Sequence, residues 1–236
     1  MNSQPLVEVL MSHSSIFHNV VPFDPLKDKV ALFDFSKNNK EIFEDIFSNT
    51  QKFTNYINQK LQSAQAKFGI GGYNEYREVY RRSRVFDSNA DDEPRRLHIG
   101  IDIWGKPYTP VMSPLDGIIH SFAFNNNFGD YGATIILSHN LDRNSFHTLY
   151  GHLSLNSIKN LREGANVRKG DVIGEFGIPM ENGQWPPHLH FQVIKDMGEG
   201  KGDYPGVCKL SEREKYLENC PDPDLILGMM GYATRI

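Results

Sequence analysis

Leu97-His98-Ile99-Gly100-Ile101-Asp102-Ile103 and, much later, His188-Leu189-His190-Phe191-Gln192-Val193-Ile194 decide the fold. Apolar and polar residues alternate in both segments, the period-two pattern of a half-buried β-strand. In the first, His98, Gly100 and Asp102 share one face, and the aliphatic side chains take the other. In the second, His188 and His190 share a face opposite Leu189 and Phe191. The apolar rows require a core. The polar rows put imidazoles and a carboxylate together, and such groups need partners when buried. A shared metal ion is one such partner, and imidazole and carboxylate suit zinc at about 2.0–2.2 Å. Gly100 is expected to leave open space beside them.

Further strands are expected at 118–124, 133–139, 146–153 and 172–176, separated by turn chemistry at Asp116-Gly117, Asn125-Asn126-Asn127 and Lys169-Gly170. Closely spaced strands without helical patterns between them argue for a mainly β, antiparallel sheet or sandwich that forms a groove. His152, in Tyr150-Gly151-His152-Leu153, is a third strand histidine with apolar neighbours. His13, His18, His120, His139 and His147 stand alone and are read as hydrogen-bonded structural residues. The combined set of His98, Asp102, His152, His188 and His190 is hard to motivate by packing.

Around this core the chain divides into residues 1–90, a partly helical extension; 91–200, the β domain; and 201–236, an irregular extension. Ile42, Phe43, Ile46, Phe47, Phe53, Ile57, Leu61 and Ala64 recur at helical spacing with a gap near residues 48–50, an apolar stripe for core packing. Gly69, Gly71 and Gly72 are expected to end that helix. Ser211 and Glu214 have capping-box spacing, which predicts a short helix.

The net charge of -4 gives no sign of a broad nucleic-acid surface, which normally needs clustered Lys and Arg. Arg81, Arg82 and Arg84, and the acidic Asp91, Asp92 and Glu93, are read as solvated loop or element ends. No apolar run reaches the ~20 residues of a membrane span. The start, MNSQPLVEVLMSHSSIF, lacks a basic segment followed by a long apolar core, so the expected compartment is cytoplasmic, or periplasmic or secreted if a leader has been removed. Cys208 and Cys220 do not make a disulfide framework, and a reduced pair is expected.

HxGxD, YxHL and HLHF, in that order, resemble the M23 zinc metallopeptidases of the lysostaphin and LytM type. The resemblance runs from about residue 96 to 195, and Val167-Arg168-Lys169-Gly170-Asp171-Val172-Ile173-Gly174 matches the family's framework. It implies a lysostaphin-like fold with a duplicated hybrid motif, zinc ligands His98, Asp102 and His190, and catalytic His152 and His188 on the metal's open side. It also implies peptide-bond hydrolysis, with peptides of peptidoglycan as substrate. A zinc-activated water would attack the carbonyl, with His152 or His188 as general base. Two positions depart from the pattern: Pro187 and Gln192 stand where the family commonly has glycine and an acidic residue. The insert at 180–187 is expected to shape a groove wall. Tyr108 and Tyr131 are read as packing residues.

Three other functions fit parts of the pattern. One is an intracellular peptidase with a substrate outside the cell wall, and another is a non-catalytic, degenerate M23 regulator or scaffold. The third is a carrier domain using Lys169 or His188. The oligomeric state has no sequence signal.

Overall fold

The computed structural model describes residues 4–39, 41, 44–87 and 92–235. Its strands, in chain order, are β1 (Val30–Leu32), β2 (Phe68–Gly71), β3 (Glu75–Tyr76), β4 (Leu97–His98), β5 (Ile101–Trp104), β6 (Pro110–Met112), β7 (Gly117–Asn125), β8 (Gly132–Leu141), β9 (Asn144–Leu153), β10 (Asn166–Val167), β11 (Val172–Glu175), β12 (His188–Ile194), β13 (Val207–Cys208) and β14 (Ala233–Arg235). One sheet runs β10-β7-β8-β9-β12-β5-β2-β1-β14; β6 pairs with β11, and β4 lies between β3 and β13. Every neighbouring pair is antiparallel except at β1, which runs parallel to β2 and β14. The chain is therefore mainly β with an antiparallel-rich sheet, and apart from a short helix at Leu155–Ile158 its described α-helices gather toward the two ends of the sequence.

Strand alternation builds the core as expected. Leu189, Phe191 and Val193 of β12, Ile101 and Ile103 of β5, and Ile135 and Leu137 of β8 are fully buried in one cluster. Leu6 and Leu10 of α1 (Leu6–Ser12) and Ile226 and Leu227 close it. The opposite face of β5 and β12 carries Asp102, Trp104, His188 and His190.

That second face is covered by the N-terminal segment. α2 (Glu44–Phe47) and α3 (Thr50–Ala64) are separated at the expected gap, where the Asn49 side chain accepts from the Lys52 N–H at 3.0 Å and caps α3. Phe53 and Ile57 pack with Phe33, Phe35, Trp104 and Trp185. Ile42 and Phe43, which open the predicted stripe, and Asp91 lie outside the described residues.

α3 ends earlier than the glycines predict. Gln65 takes the left-handed conformation (φ 52°) and closes the helix, while Gly69 and Gly71 belong to β2. These glycines serve close packing. A Cβ at Gly69 would lie 2.6 Å from the Phe33 ring, and one at Gly71 would lie 2.3 Å from the Phe33 carbonyl oxygen. Backbone cannot yield as a side-chain tip can. Gly71→Ala is therefore expected to destabilise the chain by about 1–3 kcal/mol, read as a lower urea midpoint with an unchanged slope.

A helix does follow Ser211, at Arg213–Asn219, but Ser211 does not cap it. A 3-10 turn at Leu210–Glu212 precedes the helix, and the Ser211 N–H donates to the Glu93 carboxylate at 3.2 Å. The same C-terminal stretch, read as irregular beyond that helix, also supplies β13, a short helix at Asp224–Leu227, and β14. Cys208 and Cys220 are buried free thiols, and burial pushes them up to about 12 and about 11. No helix among the described residues is long and apolar enough to cross a membrane.

His139 is structural in this fold. It is 3% exposed on β8, with Nδ1 2.9 Å from the Asp116 carbonyl and Nε2 2.8 Å from the Thr148 hydroxyl. Burial disfavours its charged form and lowers its pKa from 6.5 to about 4. Because the folded value is depressed, the unfolded chain takes up the proton first as the solution is acidified. The stability His139 contributes is complete above pH ~6.5 and falls between ~6.5 and ~4, by up to about 3 kcal/mol. Urea unfolding at pH 7 and pH 4.5 should show a smaller acid loss in His139→Gln than in wild type.

Candidate metal centre

His98 and Asp102 do not lie on one continuous strand. The chain breaks at Ile99-Gly100, which places His98 on β4 and Asp102 on β5, in different sheets. A Cβ at Gly100 would fall 2.5 Å from the His190 ring, so the space expected beside this glycine is filled by that imidazole. The bend still turns both side chains inward. β12 pairs with β5 so that His190 lies directly opposite Asp102. His98 Nε2, Asp102 Oδ1 and His190 Nδ1 thereby form a triangle with edges of 2.9, 3.1 and 3.3 Å. All three residues are buried.

The hydrogens on these rings can be deduced from their outer partners. His98 Nδ1 faces the Gly72 carbonyl at 2.7 Å, which can only accept, so the proton is on Nδ1. The Gln192 amide donates to the Pro205 carbonyl at 3.2 Å, and this turns Oε1 toward His190 Nε2 at 3.0 Å. His190 therefore carries its proton on Nε2. Burial, with Arg77 nearby, lowers the His98 pKa to about 3 against the attraction of Asp102, so that ring is neutral. Burial would raise the Asp102 carboxyl, but its neighbours His98 and Arg77 hold it well below the usual range. Three donor atoms thus converge on one point, an arrangement that could hold a metal ion. A tetrahedral zinc with bonds near 2.0 Å spaces its ligands about 3.3 Å apart, so the triangle fits that ion closely.

His188 and His152 stand beside this triangle. Their rings stack with centroids 4.1 Å apart, and Trp104 lies under His188 at 5.8 Å. His188 Nδ1–H donates to the Pro186 carbonyl at 2.7 Å and His152 Nδ1–H to the Asn182 carbonyl at 2.8 Å. Each Nε2 is left as a free base, and His188 Nε2 lies 4.0 Å from Asp102 Oδ1. Burial lowers the His188 pKa to about 4 and depresses His152 well below its ordinary value, the latter reinforced by His188 and His190. His152, the last residue but one of β9, sits in the left-handed backbone region, φ 64°. Asp102, His152, His188 and His190 open on a cavity of about 140 Å³, walled by Tyr80, Phe86, Tyr131 and Trp185 among others.

The insert at 180–187 contributes Trp185 to this wall and the Asn182 carbonyl to His152. Tyr131, read as packing, also reaches the site, with its hydroxyl 3.4 Å from His190 Nε2. Tyr108 remains half-exposed and lines no part of the cavity. Arg82 is not a solvated residue. Its guanidinium lies 4.7 Å over Trp185 and 4.9 Å over Phe128, donates to the Gln184 carbonyl at 3.1 Å, and is lowered to about 10 by burial. Three neighbours of the centre were not foreseen. Gln192 was legible, since alternation places it on the His188 and His190 face. Arg77 and Tyr80 had no signal beyond the weak pairing of Glu75 with Arg77 at strand spacing.

Residues 96–202 match the model of peptidase family M23. The chain carries an M23 peptidase domain. Among curated proteins, the L-Ala–D-Glu endopeptidase of Bacillus subtilis (strain 168) is 30% identical over 146 residues, 60% of this chain and 41% of that protein. A metalloprotease of Buchnera aphidicola subsp. Baizongia pistaciae is 28% identical over 78% of this chain and 44% of its own length. The chain thus spans less than half of these relatives. Among solved structures, the catalytic domain of lysostaphin from Staphylococcus simulans is 23% identical, covering 69% of this chain and 97% of that one, with a TM-score of 0.40. The M23 match begins two residues before His98 and ends beyond His190, so the whole triangle lies inside it. Gly72, Arg77 and Tyr80 lie outside it.

Proposed function

We propose that the chain is a zinc-dependent peptidase in which His98, Asp102 and His190 hold the ion, and that its substrates are peptides of peptidoglycan. The observation that carries this reading is the convergence of three donor atoms within 2.9–3.3 Å of one another. The set of two imidazoles and one carboxylate leaves a tetrahedral position free, as catalytic zinc sites require. The match to peptidase family M23 and the similarity to an L-Ala–D-Glu endopeptidase support peptide hydrolysis and the cell-wall substrate class.

When bound, the ion would supply Lewis acidity toward the scissile carbonyl and acidify a water. The remaining work falls to the chain. His152 and His188 are neutral, with Nδ1–H committed to backbone carbonyls, so each presents Nε2 to the cavity. One takes the proton of the attacking water and delivers it to the leaving amine. The other, beside it, stabilises charge on the carbonyl oxygen. The retained pair speaks for catalysis over a scaffold role.

The test is to incubate the zinc-loaded chain with purified peptidoglycan fragments and identify products by mass spectrometry. Cleavage of a stem or cross-bridge peptide, lost on chelation and restored by zinc, is expected. Stoichiometric zinc without cleavage of any fragment would remove the substrate assignment. A different metal in the purified protein would remove zinc.

A further inference from the structure

We propose that Arg77, supplied by the N-terminal extension, is a positioning residue of the metal centre that fixes which oxygen of Asp102 faces the ligand triangle. The proposal rests on the metal-centre reading above and adds to it a residue outside the M23 match.

Arg77 is 2% exposed, and its guanidinium is committed on every side. Nη1 donates to Asp102 Oδ2 at 2.5 Å and lies 3.3 Å from the Tyr80 hydroxyl. Nε donates to Glu75 Oε2 at 2.6 Å, and Nη2 faces the Gly71 carbonyl at 3.5 Å. The plane lies over Phe35 and Trp104 at 5.3 and 5.7 Å. Asp102 therefore spends one oxygen on Arg77 and keeps the other, Oδ1, for His98 and His190. A carboxylate so divided is monodentate toward the triangle, and it cannot rotate without breaking a buried charge-assisted hydrogen bond.

The backbone around Arg77 serves the same purpose. A Cβ at Gly72 would lie 1.7 Å from Arg77 Nη2, so only glycine leaves room for the guanidinium there. The carbonyl of that same Gly72 accepts from His98 Nδ1 and sets its tautomer. One short turn of the extension thus orients two of the three ligand residues, His98 through a carbonyl and Asp102 through a guanidinium. Such outer partners govern metal affinity through the geometry of the atoms they hold. A lysine could match the charge but not the fork that joins Asp102 to Glu75.

Zinc affinity of the 236-residue wild-type chain, Arg77→Lys and Arg77→Met is to be measured by competition with a chromophoric chelator, alongside the visible spectrum of the cobalt-substituted proteins. Circular dichroism reports folding. Arg77→Lys is expected to weaken zinc about 10-fold and Arg77→Met up to about 100-fold, each with an altered cobalt spectrum. If Arg77→Met does not fold, Arg77→Lys decides. Folded variants with wild-type zinc affinity and an unchanged cobalt spectrum overturn the proposal, as does a variant that only lowers thermal stability. A wild-type chain that takes up no metal overturns the metal-centre reading itself, and this proposal with it.

Discussion

Alanine at His98 or His190 is expected to strip the chain of stoichiometric zinc. The two imidazoles provide two of the three corners of a triangle whose longest side is 3.3 Å, and no other described His, Cys, Asp or Glu completes a comparable set. Zinc held by a full ligand set is worth roughly 10–16 kcal/mol, so one ligand of four carries about 3–4 kcal/mol, or two to three decades in affinity. The measurement is metal content after gel filtration, with chelator competition for affinity. The apoprotein offers a second readout. Removing one ring deletes one of the three converging donors. Zinc should therefore raise the melting temperature of wild type strongly and that of either variant weakly. A His98→Ala chain that keeps full zinc would remove the site assignment.

His152→Ala is expected to separate binding from turnover. The ring makes no side of the ligand triangle, and its Nδ1 is engaged by the Asn182 carbonyl. Zinc content should stay at wild-type stoichiometry while kcat falls by about 10²–10⁴-fold, the usual contribution of a general base or acid. Ground-state binding uses the cavity walls, so KM should change far less than kcat. Full turnover in this variant would exclude the proton-transfer role, and lost zinc would move His152 into the ligand set.

Much of this centre was legible in the chain because strand periodicity is a short-range rule. His188 and His190 share a face, and Leu189 and Phe191 enter the core, just as alternation requires. The same rule failed at residues 98–102, since it assumes an unbroken strand. The close approach of His190 to Gly100 is a contact between positions far apart in sequence, and no local pattern encodes it. The glycines at 69 and 71 misled for a like reason. Their role is to admit the Phe33 backbone and ring, whereas a glycine read locally suggests a helix end. Arg77 was invisible because its partner Asp102 is reached only after β2, β3 and β5 assemble. Side chains on one unbroken strand, Gln192 of β12 among them, were readable, and those brought in by distant segments, such as Arg77, were not.

The left-handed backbone of His152 has one more consequence. Glycine adopts that conformation freely, whereas an imidazole-bearing residue does so at a cost of roughly 1 kcal/mol. Local folding preference and chemistry therefore pull this position in opposite directions. Directed evolution for heat resistance alone would be drawn there toward glycine, and under the proton-transfer role proposed for His152 the more durable chain it selected would be inert.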